Sequence, residues 1–328
     1  MPYTLRAMFP AICLTLILPC YPMAMAADPA PAKDAKSAEA PIERASLPSR
    51  SQEDTLALER QVPKAEQQQL QAGDQNFLAL WKPANADEAK GAVVIVPGAD
   101  ESADWPDAVG PLRRKLPDVG WSSLSLSLPD AYIDGVFART ADTPTTGDKP
   151  AADKDKAKDA PAKPADPAAS AEAEAAAAAE QAAAQAEIAK ANADKIFARI
   201  DSAIAFAQQN KAHSIVLLGH GTGAYWAARY MSERPSPAIQ KLVMITAVDT
   251  GTDTPSLLEV LPTLKVATAD FVSKDRPVPR QQAQDRLNAS KRVKNARFTQ
   301  VTLNAIPGNA AMEQEQLFRR VRGWLEGQ

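Results

Sequence analysis

The sequence predicts an α/β fold in which a mostly parallel sheet is covered by helices on both faces, a three-layer sandwich. Three observations predict it. Apolar runs such as Ala92–Val96, Ser214–Leu218 and Lys241–Val248 read as strands buried on both faces, and segments of helical periodicity separate them. A glycine-rich turn, Gly219-His220-Gly221-Thr222-Gly223, joins a predicted strand to a predicted helix.

From the N-terminus, Met1–Arg6 carries one Arg and leads into an apolar run from Ala7 to Ala26, with no acidic residue before Asp28. That pattern predicts a signal peptide over residues 1–26, cut after Ala24-Met25-Ala26, and hence a periplasmic protein. A lipoprotein signal ending at Cys20 is the rival, but Pro19 stands where a small flexible residue is wanted. Pro10, Pro19 and Pro22 interrupt the run, and no membrane span is expected once it is cleaved. Cys13 and Cys20 both lie inside it, so the mature chain offers no disulfide, Cys-metal site or cysteine nucleophile. Lys+Arg at 37 against Asp+Glu at 40 gives a net charge of −3, without the basic surface that nucleic acid would require.

Residues 27–70 are rich in Ala, Pro, Lys, Glu and Gln and predict a flexible segment, after which residues 71–328 form the α/β-domain. Its first part reads as strand Phe77–Trp81, strand Ala92–Val96, a helix around Trp105–Leu116 and strand Trp121–Leu128. Residues 140–170, built from Ala, Lys, Asp and Pro without an aromatic residue, predict a disordered insertion. A long helix over Ala171–Asn210 follows, its Ala-rich part (171–195) a solvated extension and its C-terminal half docked by Ile196, Phe197, Ile200 and Ile204. The rhythm then resumes: helix Tyr225–Glu233, strand Leu264–Thr268, helix Gln281–Lys291, strand Phe298–Leu303 and helix Glu313–Glu326.

The strand-to-helix junction carries the chemistry. Gly-x-Ser-x-Gly at such a junction is the nucleophile elbow of α/β-hydrolases, where small flanking residues permit a tight turn and the central side chain stands exposed. Gly219 and Gly223 hold the flanks, His220 is the neighbour of the nucleophile position, and that position is Gly221, without a side chain. A dinucleotide fingerprint fails on spacing, with Ala224 where its third glycine belongs and no acidic ribose reader placed after it. The triad histidine should follow the last strand, yet no histidine lies between Gly221 and Gln328, and Asn309 is near its place. An amide cannot act as general base near neutral pH.

On Val96-Pro97-Gly98, the Gly219–Gly223 turn and the Arg-rich closing helix, the chain resembles exported α/β-hydrolase-like proteins of gammaproteobacteria, classed as a domain of unknown function. The resemblance covers about 77–130 and 203–325 and implies the fold, without an assigned substrate.

Asp270 is the best match to a triad acid, with Asp275 and Asp249 behind it, and each reads more simply as a loop residue satisfying backbone N–H groups. The Thr222 hydroxyl is expected to cap a helix beginning at Ala224, and the loop Pro97–Asp100, with the Thr222 N–H, to supply oxyanion-type donors able to hold an anion. His213 reads as a surface residue. His213 and His220 make a poor metal set, so neither metal nor cofactor is expected. These readings predict a non-catalytic binding or scaffold protein of the cell envelope with a small-molecule or protein partner. The alternative is a hydrolase with a displaced or non-standard site.

Overall fold

The computed structural model describes residues 48–130, 167–249, 255–274 and 277–327. The predicted signal peptide, residues 27–47 and residues 140–166 of the predicted insertion lie outside them. The elements run α1 (Arg50–Gln61), β1 (Gln67–Ala72), β2 (Gln75–Lys82), β3 (Gly91–Val96), α2 (Val109–Lys115), β4 (Trp121–Leu126), α3 (Pro167–Gln209) and β5 (Ile215–His220). They continue with α4 (Thr222–Glu233), β6 (Ile239–Ile245), α5 (Leu257–Val260), β7 (Ala267–Ser273), α6 (Pro277–Arg292), β8 (Phe298–Leu303) and α7 (Ala310–Glu326).

One eight-stranded sheet has the order β1-β2-β4-β3-β5-β6-β7-β8. β2 pairs antiparallel with both neighbours, and every pairing from β4 through to β8 is parallel. β3 and β5 lie at the centre, buried along their whole length, which is why their sequences are almost wholly apolar up to the Gly219-His220 that ends β5. Alternate side chains serve two cores: Val94, Val96 and Leu217 meet α3, α4 and α5, whereas Val93, Ile95, Val216 and Leu218 meet α2 and α7. In the first core Phe197 of α3 sets its ring edge-on to Trp226 and Tyr230 of α4 at 6.3 and 5.6 Å, locking the two helices together.

The long helix spans about 65 Å at 1.5 Å per residue. It begins at Pro167, correcting the expectation of disorder through residue 170, and the first buried residue among its described side chains is Ala193. Residues 178–187 are exposed, so alanine's intrinsic helix propensity sustains that stretch with little packing.

The expectation that residues 27–70 are flexible throughout is corrected for the stretch from Arg50 onward. Ser49 and Gln52 form a reciprocal capping box that starts α1, and Leu58 and Val62 pack on Leu78, Leu80 and Ala103. β1 joins the sheet edge although four of its six residues are glutamine, because only Leu70 must be buried and backbone pairing with β2 does the rest. Buried Arg113 of α2 donates to Glu66 just before β1 (2.5 Å) and to Asp104 (2.9 Å), fixing this edge to the second layer. Strand β7 also departs from expectation, running Ala267–Ser273 and so ending five residues beyond the expected Leu264–Thr268. Leu264 ends a 3-10 turn, and the strand continues through Asp270, whose charge marks an end in the sequence but is paired in the interior.

The start of α1 is held by a carboxylate from beyond β4. Ser51 donates its N–H and hydroxyl to Asp130 at 2.9 and 2.7 Å, and Arg50 donates to the Ala99 carbonyl. Partial burial pushes the Asp130 carboxyl up, but the Ser51 and Ser49 hydroxyls, the Ser51 N–H and the Arg50 charge outweigh it and hold the group below its ordinary value. A depressed folded value stabilises fully above the unfolded value of about 4 and is lost as pH falls through the folded one. Hydrogen exchange should therefore show α1 loosening ahead of the sheet below about pH 4. Asp130→Asn should loosen α1 already at neutral pH, at a cost of about 1 kcal/mol in denaturant melts, and remove that acid dependence.

Candidate functional site

Strand β5 ends at His220, helix α4 starts at Thr222, and one residue, Gly221, makes the corner with φ +56° and ψ −124°. Its N–H donates to the Ile245 carbonyl at 3.0 Å, and its carbonyl accepts from the Val248 N–H at 3.1 Å, so the corner is fastened to the neighbouring strand. The flanks are set by contact. A Cβ on Gly219 would lie 2.3 Å from the Ala224 Cα, and one on Gly223 would lie 2.2 and 2.3 Å from the carbonyl oxygens of Pro97 and Val96. At Gly221 the nearest atom to an added Cβ is a Glu101 oxygen at 3.8 Å. There is room for a side chain; the backbone conformation is what favours glycine.

Glu101 is the residue that organises this end of the sheet. Its Oε2 accepts from the Gly98 N–H at 2.7 Å, and His220 Nδ1 lies 2.7 and 2.8 Å from its two oxygens. A carboxylate can only accept, so His220 carries its proton on Nδ1, and among the described residues nothing bonds to Nε2. The next N–H of the loop, that of Ala99, donates to the Thr222 hydroxyl at 2.7 Å. The N–H groups of Gly98 and Ala99 are thereby both taken by the chain itself.

This arrangement corrects two expectations. Thr222 does not cap a helix from Ala224, because α4 already begins at Thr222 with Gly221 as its N-cap, and the hydroxyl reaches across to the β3–α2 loop instead. Of the oxyanion-type donors expected in Pro97–Asp100, the Gly98 N–H is not open to an outside anion, since the Glu101 carboxylate, one residue beyond the stretch singled out in sequence, satisfies it, and the Ala99 N–H is spent on Thr222.

The remaining candidates are dispersed. Asp270 is not in a loop: it is fully buried within β7, beside Met244 of β6, and forms a two-point ion pair with Arg286 of α6 (3.0 and 3.2 Å), with the Gln300 amide donating at 3.2 Å. The pair is structural. Asp249 accepts from the Leu257 N–H at 2.9 Å, which starts α5, while its other oxygen is buried with no partner among the described residues. Asp275 lies outside the described residues. Asn309 is the exposed N-cap of α7, accepting from the Met312 N–H at 3.0 Å, so the place where a triad histidine is expected carries a capping amide. His213 is exposed ahead of β5. Among the described residues no three His, Cys, Asp or Glu side chains are grouped to hold a metal, and no helix is long and apolar enough to cross a membrane.

Glu101, Arg286 and the Asp130 anchor were not singled out in the sequence. Only Glu101 left a signal there, as the acidic residue three places after Gly98 in the loop facing the elbow. The other two depend on which elements the fold sets side by side, α6 on β7 for Arg286 and α1 on the end of β4 for Asp130.

The family described as "Protein of unknown function (DUF3530)" matches residues 9–327. The chain belongs to it. No curated protein matches the sequence. Among solved structures, this DUF3530 chain is similar to an esterase of Pyrococcus furiosus, with 12% identity over 79% of this chain and 89% of that one and a TM-score of 0.50. It is also similar to an alpha-beta serine hydrolase homologue from Coxiella burnetii (12%, 79% and 99%, 0.49) and a dienelactone hydrolase from Anabaena variabilis (14%, 77% and 96%, 0.48). At such identities the likeness is one of fold, and the sheet with its single antiparallel β2 gives this DUF3530 member an α/β-hydrolase fold.

Two stability measurements check the geometry. Gly221→Ala should cost roughly 1 kcal/mol or more through its positive φ, and Gly223→Ala clearly more, because its Cβ overlaps backbone that cannot move aside. An equal or reversed order in denaturant melts would contradict the corner described. Asp270→Ala, which strands the buried Arg286, should cost about 3–5 kcal/mol, while the double change Asp270→Leu with Arg286→Met should cost much less.

Proposed function

We propose that this chain is an exported α/β-hydrolase-fold protein of the cell envelope that binds rather than hydrolyses. The observation that carries the reading is the pairing of Glu101 with the Gly98 N–H and His220 directly over Gly221. A hydrolase of this fold needs a nucleophile at the corner, a base to activate it and unoccupied N–H donors for the developing oxyanion. Here the corner has no side chain, the base position is an amide cap, and a carboxylate sits where negative charge would have to develop. Repulsion between Glu101 and an oxyanion opposes the reaction even if a hydroxyl were supplied. Export rests on the signal-like residues 1–26 and predicts that the mature chain begins at Ala27, read by N-terminal sequencing.

A second reading draws on the same pair. A carboxylate holding Nδ1–H of a histidine leaves Nε2 as a base, the orientation used in a triad, so His220 would activate a water molecule directly. The two readings part in one assay. On the first, the purified protein takes no fluorophosphonate label, hydrolyses p-nitrophenyl acetate and butyrate no faster than its His220→Ala variant, and gains nothing from Gly221→Ser. Turnover that disappears in both His220→Ala and Glu101→Gln would establish the second reading and remove the first.

A further inference from the structure

A cleft of about 1030 Å3 opens over the sheet edge where β4 ends and β2 begins, between the first turns of α1 and the C-terminal half of α3. It is separate from the Gly221 corner and has the size of a small-molecule site, which runs roughly 300–1000 Å3. Two of its carboxylates are hydrogen-bonded and the third points to solvent. Asp130 is taken by Ser51 and faces Arg50 at 3.9 Å, Glu59 accepts from the Gln69 amide, and Asp100, 93% exposed, lies 3.8 Å from the same Arg50.

Its cations on α3 are placed differently. Arg199 spends one guanidinium nitrogen on the Ser127 carbonyl, 2.5 Å away, and lies over the Phe77 ring at 5.1 Å. No carboxylate comes within ion-pair distance of it among the described residues, and the rest of its donor fork is unspent. Burial lowers its ionisation to about 10, with the Asp130 charge pulling it back up. Holding a half-desolvated guanidinium without a paired anion is costly, and the fork matches carboxylate and phosphate geometry. Lys195, one turn earlier on the same helix, also lines the cleft without an acidic partner among the described residues. Leu56 of α1 is 52% exposed, one of four large apolar side chains so placed among the described residues, and Leu128 also lines the cleft.

We propose that this cleft binds an organic anion whose carboxylate or phosphate is held by Arg199 and Lys195 while its apolar body lies along Leu56 and Leu128. Binding here does not depend on whether the Gly221 corner is silent. Two walls are set by packed elements, since α3 is anchored through Phe197 and α1 through Leu58 and Val62, so the site is formed before the ligand arrives.

Isothermal titration of the full-length protein with octanoate, octyl phosphate, octyl glucoside below its micelle concentration, and inorganic phosphate tests it. One or both of the first two should bind one to one, and which of them binds identifies the headgroup. Arg199→Gln with Lys195→Gln should weaken binding at least tenfold. Lys195→Glu, an exposed change that leaves the fold intact, should weaken it severalfold, as should Leu56→Gln. Octyl glucoside binding as tightly as the anions would show that charge is not read, and inorganic phosphate binding as tightly would show that the apolar wall is not used. Either result overturns the proposal, as does the absence of binding by both amphipathic anions or an unchanged affinity in Lys195→Glu.

Discussion

The approach of α4 to the end of β3 is the constraint on which the rest of the structure depends. Gly223 lies so close to the carbonyls of Val96 and Pro97 that no other residue fits without shifting backbone. That contact brings the loop Gly98–Glu101 over the corner, where Thr222 can accept from Ala99 and Glu101 can reach both Gly98 and His220. Arg50 then docks on Ala99, and α1 follows. Three backbone segments distant in the chain are thus positioned through the absence of one Cβ.

The central strands and the corner were legible in the sequence because each writes its requirement locally. β3 and β5 are buried on two faces, so nearly every residue is apolar, and the corner needs glycine at Gly219, Gly221 and Gly223 for reasons of contact or φ that few other residues satisfy. β1 was not legible, since an edge strand that buries one leucine and meets solvent elsewhere has the composition of a loop. Asp270 misled for a related reason. A carboxylate reads as polar and exposed until its partner is known, and Arg286 lies in a separate helix sixteen residues on.

The site was legible in what it lacks and illegible in what replaces it. The empty corner and the missing histidine are visible one residue at a time. That a carboxylate lies beside the corner depends on the conformation of the loop between β3 and α2 and on the reach of its side chain, which no periodicity encodes. The cleft beside α1 is further from sequence still, because its two walls come from helices more than a hundred residues apart that are brought together only by the sheet they cover.

Glu101 acts toward the loop as a tethered ligand. Fixed beside the Gly98 N–H, it competes with any dissolved anion as an intramolecular partner, whose effective concentration reaches millimolar even on a flexible tether of ordinary length and rises when the tether is rigid. A free carboxylate or phosphate in the surrounding medium must displace it and also find room for the charge it leaves behind, so its apparent affinity falls by the occupancy of the tethered group. The Gly98 N–H thus meets its anion within the chain, before any solute arrives.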